Sequence, residues 1–380
     1  MSDTPATEVQ APPPELLHAT ELAFLEHHDA GPRPPGWRLT PRAVVTFVCG
    51  SGGEILKLPK GARPPDGLPK QLAIREKFVG DRGIVERSVV PLAGERGLLL
   101  VGEPGTAKSM LSELLAAAVS GTSALTVQGT AGTTEDQLRY GWNYALLLAK
   151  GPVPEALVPS PVLAAMRAGK VARVEEVTRC LPEVQDALVS ILSDRRMAVP
   201  ELGEVMAAHK GFNVIATANL RDRGVSEMSA ALKRRFNFET VFPIPDFQVE
   251  MDLVREEARR LLERSGVPTY PDDDMLDLLV TTFRELRAGQ TKDGQAMDRL
   301  SVPMSTAEAV SVAYAMGVRS HFLEGAPPSA EDLVECLIGA AIKTDSEDVA
   351  RLRRYFEQRV SKGQGPHWRA YYEARHRLPG

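Results

Sequence analysis

The sequence is poor in the residues that mark secreted, metal-bound or membrane-embedded proteins. It has three cysteines in 380 residues, Cys49, Cys180 and Cys336, far apart and without a CxxC pair. That excludes a disulfide framework and a cysteine zinc site as organising features, and Cys180 reads as a packed thiol. Seven histidines include no H-x-x-x-H pair, so no transition-metal site is expected. No stretch holds about 18 uncharged apolar residues in a row, as a membrane span would need. The opening MSDTPATEVQAPPPELL has no basic segment leading into an apolar one, so no signal peptide is expected and a cytoplasmic location is. Positive charge is not in excess either: the formal net charge is -5, which argues against a generally basic nucleic-acid-binding surface.

What is present is ordinary for a globular chain, 43% hydrophobic and 25% charged, enough for two or three folded units. Residues 1–14, rich in Pro, Ala and Thr, are expected to be a disordered tail within an N-terminal extension spanning 1–70. The extension carries a helical pattern, ELLHATELAFLEHH, and an apolar stretch, AVVTFVCG, between Pro/Gly-rich breaks. From Ile74 the texture becomes helix-like, and RGLLLVG then reads as a strand buried on both faces. Apolar runs recur at LTVQG (125–129), VARVEEV (171–177), FNVIATA (212–218) and ETVFPI (239–244), with helical patterns between them. Such alternation means a parallel sheet covered by helices over 71–245. Pro182, followed by Val184, Ala187, Leu188, Ile191 and Leu192, marks one helix that packs by a single face. Beyond Asp246 the strand signals stop, and helices are expected at 247–264, 273–288, 305–319, 330–343 and 346–359, so 246–380 should be all-helical. The closing WRAYYEARHRLPG should dock on that domain as a terminal helix.

The order buried strand, loop Gly102-Glu103-Pro104-Gly105-Thr106-Ala107-Lys108-Ser109, then a helix opening at Met110 with Leu111, Leu114 and Leu115 on one side, is that of a phosphate-binding loop. Backbone N–H groups and a helix N-terminus can then face the same phosphates, Lys108 can reach the β and γ phosphates, and the Ser109 hydroxyl can hold magnesium. ATP with Mg2+ is the expected ligand. Ala107 replaces the glycine usual before the lysine, and its methyl group is expected to be compatible with a helical start. Glu175 and Glu176, ending an apolar run 67 residues beyond Lys108, suit a magnesium-organising carboxylate and a general base respectively. Asn219 ends another buried strand, where its amide can align water. Lys233, Arg234 and Arg235 precede the last strand, where an arginine can neutralise phosphoryl-transfer charge or, more plainly, a basic helix end can complement the helix dipole.

With these elements in this order, the stretches GEPGTAKS, VQGTAGTTEDQLRYG, VARVEEVTRCLPEVQDALVSILSD, FNVIATANLRDRG and SAALKRRFNFE resemble the AAA+ ATPases, more closely their MoxR branch. The resemblance covers about residues 75–245. It implies a three-layer αβα P-loop domain with a five-stranded parallel sheet of order 5-1-4-3-2, a helical lid, and a homo-oligomeric ring, usually a hexamer. It places Glu175 and Glu176 at the Walker B pair, Asn219 at sensor 1, and Arg235, with Arg234 as the alternative, at the arginine finger. YGWNYALLLAKG (140–151) and MAVPELGEVMAAHKG (197–211) fall where the branch carries an insert in helix 2 and a hairpin before sensor 1. Trp142 and Tyr144 could grip a client there or pack within the insert. The stretch VPMSTAEAVSVA lacks the sensor 2 arginine of many relatives. Arg299 is a nearby arginine, and Ser305 with Glu308 has capping-box spacing. The implied activity is ATP hydrolysis coupled to remodelling of a protein partner, such as a von Willebrand factor A-domain protein. A nucleotide-gated scaffold with little turnover and a nucleic-acid motor are the alternatives.

Overall fold

The computed structural model describes residues 10–61, 64–219, 226–302, 304–343, 345 and 347–379. Residues 1–9 of the expected tail and 220–225 of the FNVIATANLRDRG stretch lie outside them. Contacts divide the chain into two units, one running to Glu103 and resuming over Ala107–Val241, the other comprising Pro104–Thr106 and Phe242–Gly380.

The first unit is built on five parallel strands: β1 (Gly97–Val101), β2 (Thr126–Gln128), β3 (Val171–Glu175), β4 (Asn213–Ala218) and β5 (Phe236–Thr240). Their order is β5-β1-β4-β3-β2, the 5-1-4-3-2 order that the family resemblance implied. All residues of β1, β3 and β4 are buried, which is why these segments read as mostly apolar runs rather than alternating ones. Ladder partners Ala218 and Thr240 both face Val101, and Gln128 faces Glu175, so the strands end at one edge of the sheet.

The last strand begins three residues earlier than ETVFPI suggested. Phe236 pairs with Gly97, where an added Cβ would lie 2.6 Å from the Phe236 ring. The glycine makes room for the aromatic, and the pairing starts there. The Val241 N–H still donates to Val101 O, after which Pro243 and Pro245 have no N–H to continue the ladder.

Among the described residues, the main helices of this unit are α1 (Ala19–His28), α2 (Pro41–Cys49), α3 (Arg82–Ala93), α4 (Lys108–Ser120), α5 (Pro161–Ala168) and α6 (Pro182–Asp194). The apolar stretch AVVTFVCG is α2, opened by Thr40, whose hydroxyl accepts from Ala43 N–H, and by Pro41 at the first helical position. The N-terminal extension shares one core with the sheet: Phe24, Leu39, Val44 and Phe47 cluster with Ile84, Val85, Leu98, Leu100 and Leu115. Pro14, at the end of the expected tail, starts a short helix, Pro14–Leu17, in which the Glu15 carboxylate accepts from the Ser123 N–H and hydroxyl, both at 2.9 Å. As expected, α6 starts at Pro182 and buries Val184, Leu188, Ile191 and Leu192.

In the second unit the helices are α7 (Phe247–Arg264), α8 (Asp273–Ala288), α9 (Thr306–Arg319), α10 (Ala330–Ala341), α11 (Glu347–Gln358) and α12 (Pro366–Glu373). The expected capping box is formed: Ser305 N–H donates to Glu308 Oε2 at 3.0 Å and Glu308 N–H to Ser305 Oγ at 3.2 Å. The terminal helix α12 buries Trp368 and Tyr371 in the lid core beside Phe283 and Phe356. Arg299 donates Nε and Nη2 to Ala288 O, closing the C-terminus of α8. Among the described residues no helix is long and apolar enough to cross a membrane.

Candidate functional site at the strand ends

β1 runs directly into the expected phosphate loop and α4 starts at Lys108, so the loop lies between a buried strand and a helix N-terminus, as anion binding requires. Lys108 is buried, its Nζ donating to Gly102 O at 3.2 Å and Glu103 O at 2.7 Å, while Met110 is exposed on the first turn of α4. Gly105 takes a left-handed backbone, φ 74°. Ala107, the residue immediately before the first turn of α4, does too, at φ 63° and ψ 24°, so the helix starts where expected but with the alanine in a left-handed conformation. A non-glycine residue there carries roughly 1–2 kcal/mol of steric cost, because Cβ crowds the following carbonyl. The loop keeps the glycine conformation without the glycine.

The two glutamates at the end of β3 point to different surroundings. Glu175 is buried and accepts from four groups: Ser109 Oγ and Thr217 Oγ1 reach Oε2, each at 2.7 Å, and Arg173 Nη2 (2.7 Å) and Ser112 Oγ (2.5 Å) reach Oε1. Burial pushes its carboxyl up, but the Arg173 charge and the hydroxyls of Ser112, Ser109 and Thr217 outweigh that and hold it below the usual carboxylate range. Ser109 and Glu175 thus put two hard oxygen ligands side by side, a set that suits magnesium. Among the described residues no group of three His, Cys, Asp or Glu side chains could hold a metal alone. A magnesium ion here would fill the rest of its shell with water or ligand oxygens, as Mg2+ held by one or two protein oxygens does.

Glu176 follows in a left-handed conformation, φ 52°, with its N–H donating to Thr217 Oγ1 at 3.0 Å. Backbone strain of this kind is held only where surrounding contacts over-determine it, and it concentrates at functional sites. Asn219 Nδ2, from the end of β4, donates to Glu176 Oε1 at 2.9 Å. Oε2 is buried and accepts no hydrogen bond among the described residues, although Arg179 Nε lies 3.5 Å away. One carboxylate is thus locked by four donors, and its neighbour keeps an acceptor oxygen in reserve.

Residues 97–236 match the AAA domain of the dynein-related subfamily, and residues 248–379 match the YehL-like AAA+ ATPase C-terminal domain. The uncharacterized protein YehL of Escherichia coli K12 is 54% identical over 374 residues, 98% of each chain. The chain belongs to the YehL-like AAA+ ATPases. An uncharacterized protein of Staphylococcus haemolyticus is 29% identical over 201 residues, 53% of this chain and 71% of that one. Among solved structures, NtrX from Brucella abortus in complex with ADP is similar with a TM-score of 0.49 at 14% identity, over 80% of this chain and 64% of that chain.

Elsewhere in this YehL-like ATPase the two arginines before β5 differ. Arg235 donates Nη1 to Ala231 O at 2.6 Å and Nε to Ser193 Oγ on α6. Arg234 is exposed; its N–H donates to Ala230 O and its carbonyl accepts from Arg96 Nη2. In the 140–151 insert, Tyr140–Trp142 pairs antiparallel with Leu157–Pro159 and a short helix, Tyr144–Lys150, lies between them. Trp142 packs against the core with its ring 6.0 Å from that of Tyr140, whereas Tyr144 is 71% exposed. The 197–211 stretch forms the hairpin Arg196–Val199 with Glu204–Ala207. The sequence reading missed Arg173, Ser112 and Thr217. The available signal was an arginine two residues before Glu175 in an otherwise apolar run, since i and i+2 share a strand face.

Proposed function

We propose that this chain is a Mg2+-dependent ATPase of MoxR-like type that assembles as a homo-oligomeric ring, usually a hexamer in that branch, and uses hydrolysis to remodel or activate a protein partner, a von Willebrand factor A-domain protein being the expected class. The observation that carries the reading is the Asn219–Glu176 pair beside the phosphate loop. It puts an oriented carboxylate at the C-terminal strand edge, where open α/β sheets bind ligands.

In this reading Gly102, Glu103, Pro104, Gly105, Thr106 and Ala107 wrap the phosphates with backbone N–H groups, joined by Lys108 and the first turn through Met110. Lys108 exchanges its hydrogen bonds to Gly102 O and Glu103 O for phosphate oxygens. Ser109 and Glu175 hold magnesium, which would neutralise phosphate charge and orient the leaving oxygens. Glu176 Oε2 takes a proton from the attacking water, and Asn219 holds Oε1 so that the carboxylate faces it. An arginine from a neighbouring subunit stabilises the transition state. Arg234 suits that role because its guanidinium is exposed, while Arg235 would first have to leave Ser193.

Turnover measured against protein concentration tests both chemistry and assembly. Glu176→Gln should lower kcat by about 100-fold or more while ATP binding persists, the size expected when a general base is removed. Intact turnover in that variant, or a rate per chain that is flat across the assembly range, would overturn the reading. A nucleotide-gated scaffold is the second reading, favoured by the four donors already occupying Glu175; it is supported if wild type binds ATP and does not turn it over.

A further inference from the structure

Arg173 lies in β3, the strand between β4 and β2, and is 4% exposed. A guanidinium in the middle of a sheet is costly unless every N–H finds a partner. Here each does. Nη2 donates to Glu175 Oε1 at 2.7 Å and to Ser109 O at 3.4 Å. Nη1 donates to Ser123 O and Thr126 Oγ1, both at 3.1 Å, and Nε to Ser112 Oγ at 2.9 Å. The Ser112 hydroxyl in turn donates a hydrogen bond to the same Glu175 Oε1. One carboxylate oxygen is therefore fixed from two directions, and the other, Oε2, accepts from the Ser109 and Thr217 hydroxyls.

A glutamate has one more rotatable bond than aspartate, so at a metal-facing position it has more ways to miss. The fork of Arg173 removes that freedom, since a planar guanidinium can bind the carboxylate and Ser112 together while a lysine can make only a point contact. We propose that Arg173 is a positioning residue for the nucleotide site: it fixes Glu175 so that Oε2 and Ser109 form the face presented to a divalent cation, and it thereby sets how much magnesium nucleotide binding requires. The proposal rests on the reading of this loop as a Mg·ATP site.

The test uses the full chain and two titrations: ATP in EDTA, and MgCl2 at fixed ATP, both read as nucleotide binding. Arg173→Lys keeps the buried charge and should raise the half-saturating magnesium concentration about tenfold, the scale at which residues behind metal ligands act. ATP affinity in EDTA should stay within about twofold, because Lys108 and the loop N–H groups are untouched. Ser112→Ala, which removes the bridge and leaves the ion pair, should shift magnesium the same way by about two- to threefold, the size of one modest hydrogen bond. That variant decides the matter if Arg173→Lys does not fold. Glu175→Gln should erase the difference, so that Arg173→Lys/Glu175→Gln matches Glu175→Gln alone. An unchanged magnesium requirement overturns the proposal, and so does an equal loss of affinity in EDTA, which would mark a merely structural role. If wild-type binding is not strengthened by magnesium, the Mg·ATP reading itself falls, and the role of Arg173 with it.

Discussion

At the scale of single residues, the phosphate loop is legible from its spacing, and its strain is not. Ala107 sits at the start of α4, as its place before Lys108 suggests, but the turn from β1 into the helix gives it φ 63°. Ala107→Gly should therefore stabilise the chain by about 1 kcal/mol, the steric cost relieved being partly offset by the greater freedom of glycine when unfolded. Chemical denaturation would check this, and a destabilised variant would show that the methyl contributes packing that outweighs the strain. Glu175 and Asn219 could be picked out because polar residues ending apolar runs are conspicuous. Arg173 is as conspicuous in its run, but its role is not legible there, because it depends on Ser112 in α4 and Thr126 in β2, which the fold brings to it from about 50 to 60 positions away.

At the scale of elements, helices were easier to read than the last strand. The expected bounds of α7 and α8 coincide with those observed, since caps such as Asp246 and Asp272 mark the starts locally: each side chain accepts from a backbone N–H three residues on. β5 was misplaced because its start is decided by Gly97 on a neighbouring strand, information that no local window contains. For α12, the docking expected from its aromatic composition is anchored by Tyr371. Its ring lies 4.8 Å from that of Phe356, and its hydroxyl is 3.2 Å from Thr282 Oγ1. Tyr371→Ala should cost about 3–5 kcal/mol of lid stability, as large-to-small changes at fully buried aromatics do. Tyr371→Phe should cost about 1 kcal/mol, the worth of one hydrogen bond. Hydrogen exchange across α8, α11 and α12 would read both, and equal losses would mean that the hydroxyl, not the ring, holds the helix.

For the whole molecule, stability should fall on the acid side through a few buried carboxylates. Asp348 is fully buried; burial raises its pKa, but Ser301 and Arg351 outweigh that and leave it below its ordinary 3.8. Glu308 is lowered in the same way, burial being outweighed by Lys343 and Ser305. A carboxyl depressed in the folded state contributes stability that is complete above its unfolded value and is lost as pH falls through the folded one. Asp348→Asn should then cost about 1–3 kcal/mol at pH 7, with the deficit vanishing below the depressed value as wild type is protonated too. Denaturation curves at pH 7 and at stepwise lower pH would show the deficit shrinking as pH falls through the depressed value. A deficit that stays constant with pH would place the effect in packing rather than charge.

The sequence by itself determined the phosphate loop, the alternation that makes a parallel sheet, and the helical second unit, because hydrophobic period, glycine spacing and caps act over a few neighbouring residues. Tertiary structure alone decided that the N-terminal extension shares the core of the sheet, that β5 starts opposite Gly97, and that Glu175 is held by a buried arginine while Asn219 holds one oxygen of Glu176 and Arg179 lies near the other. These depend on contacts between residues tens of positions apart, where burial removes water as a competing partner and makes each hydrogen bond decisive.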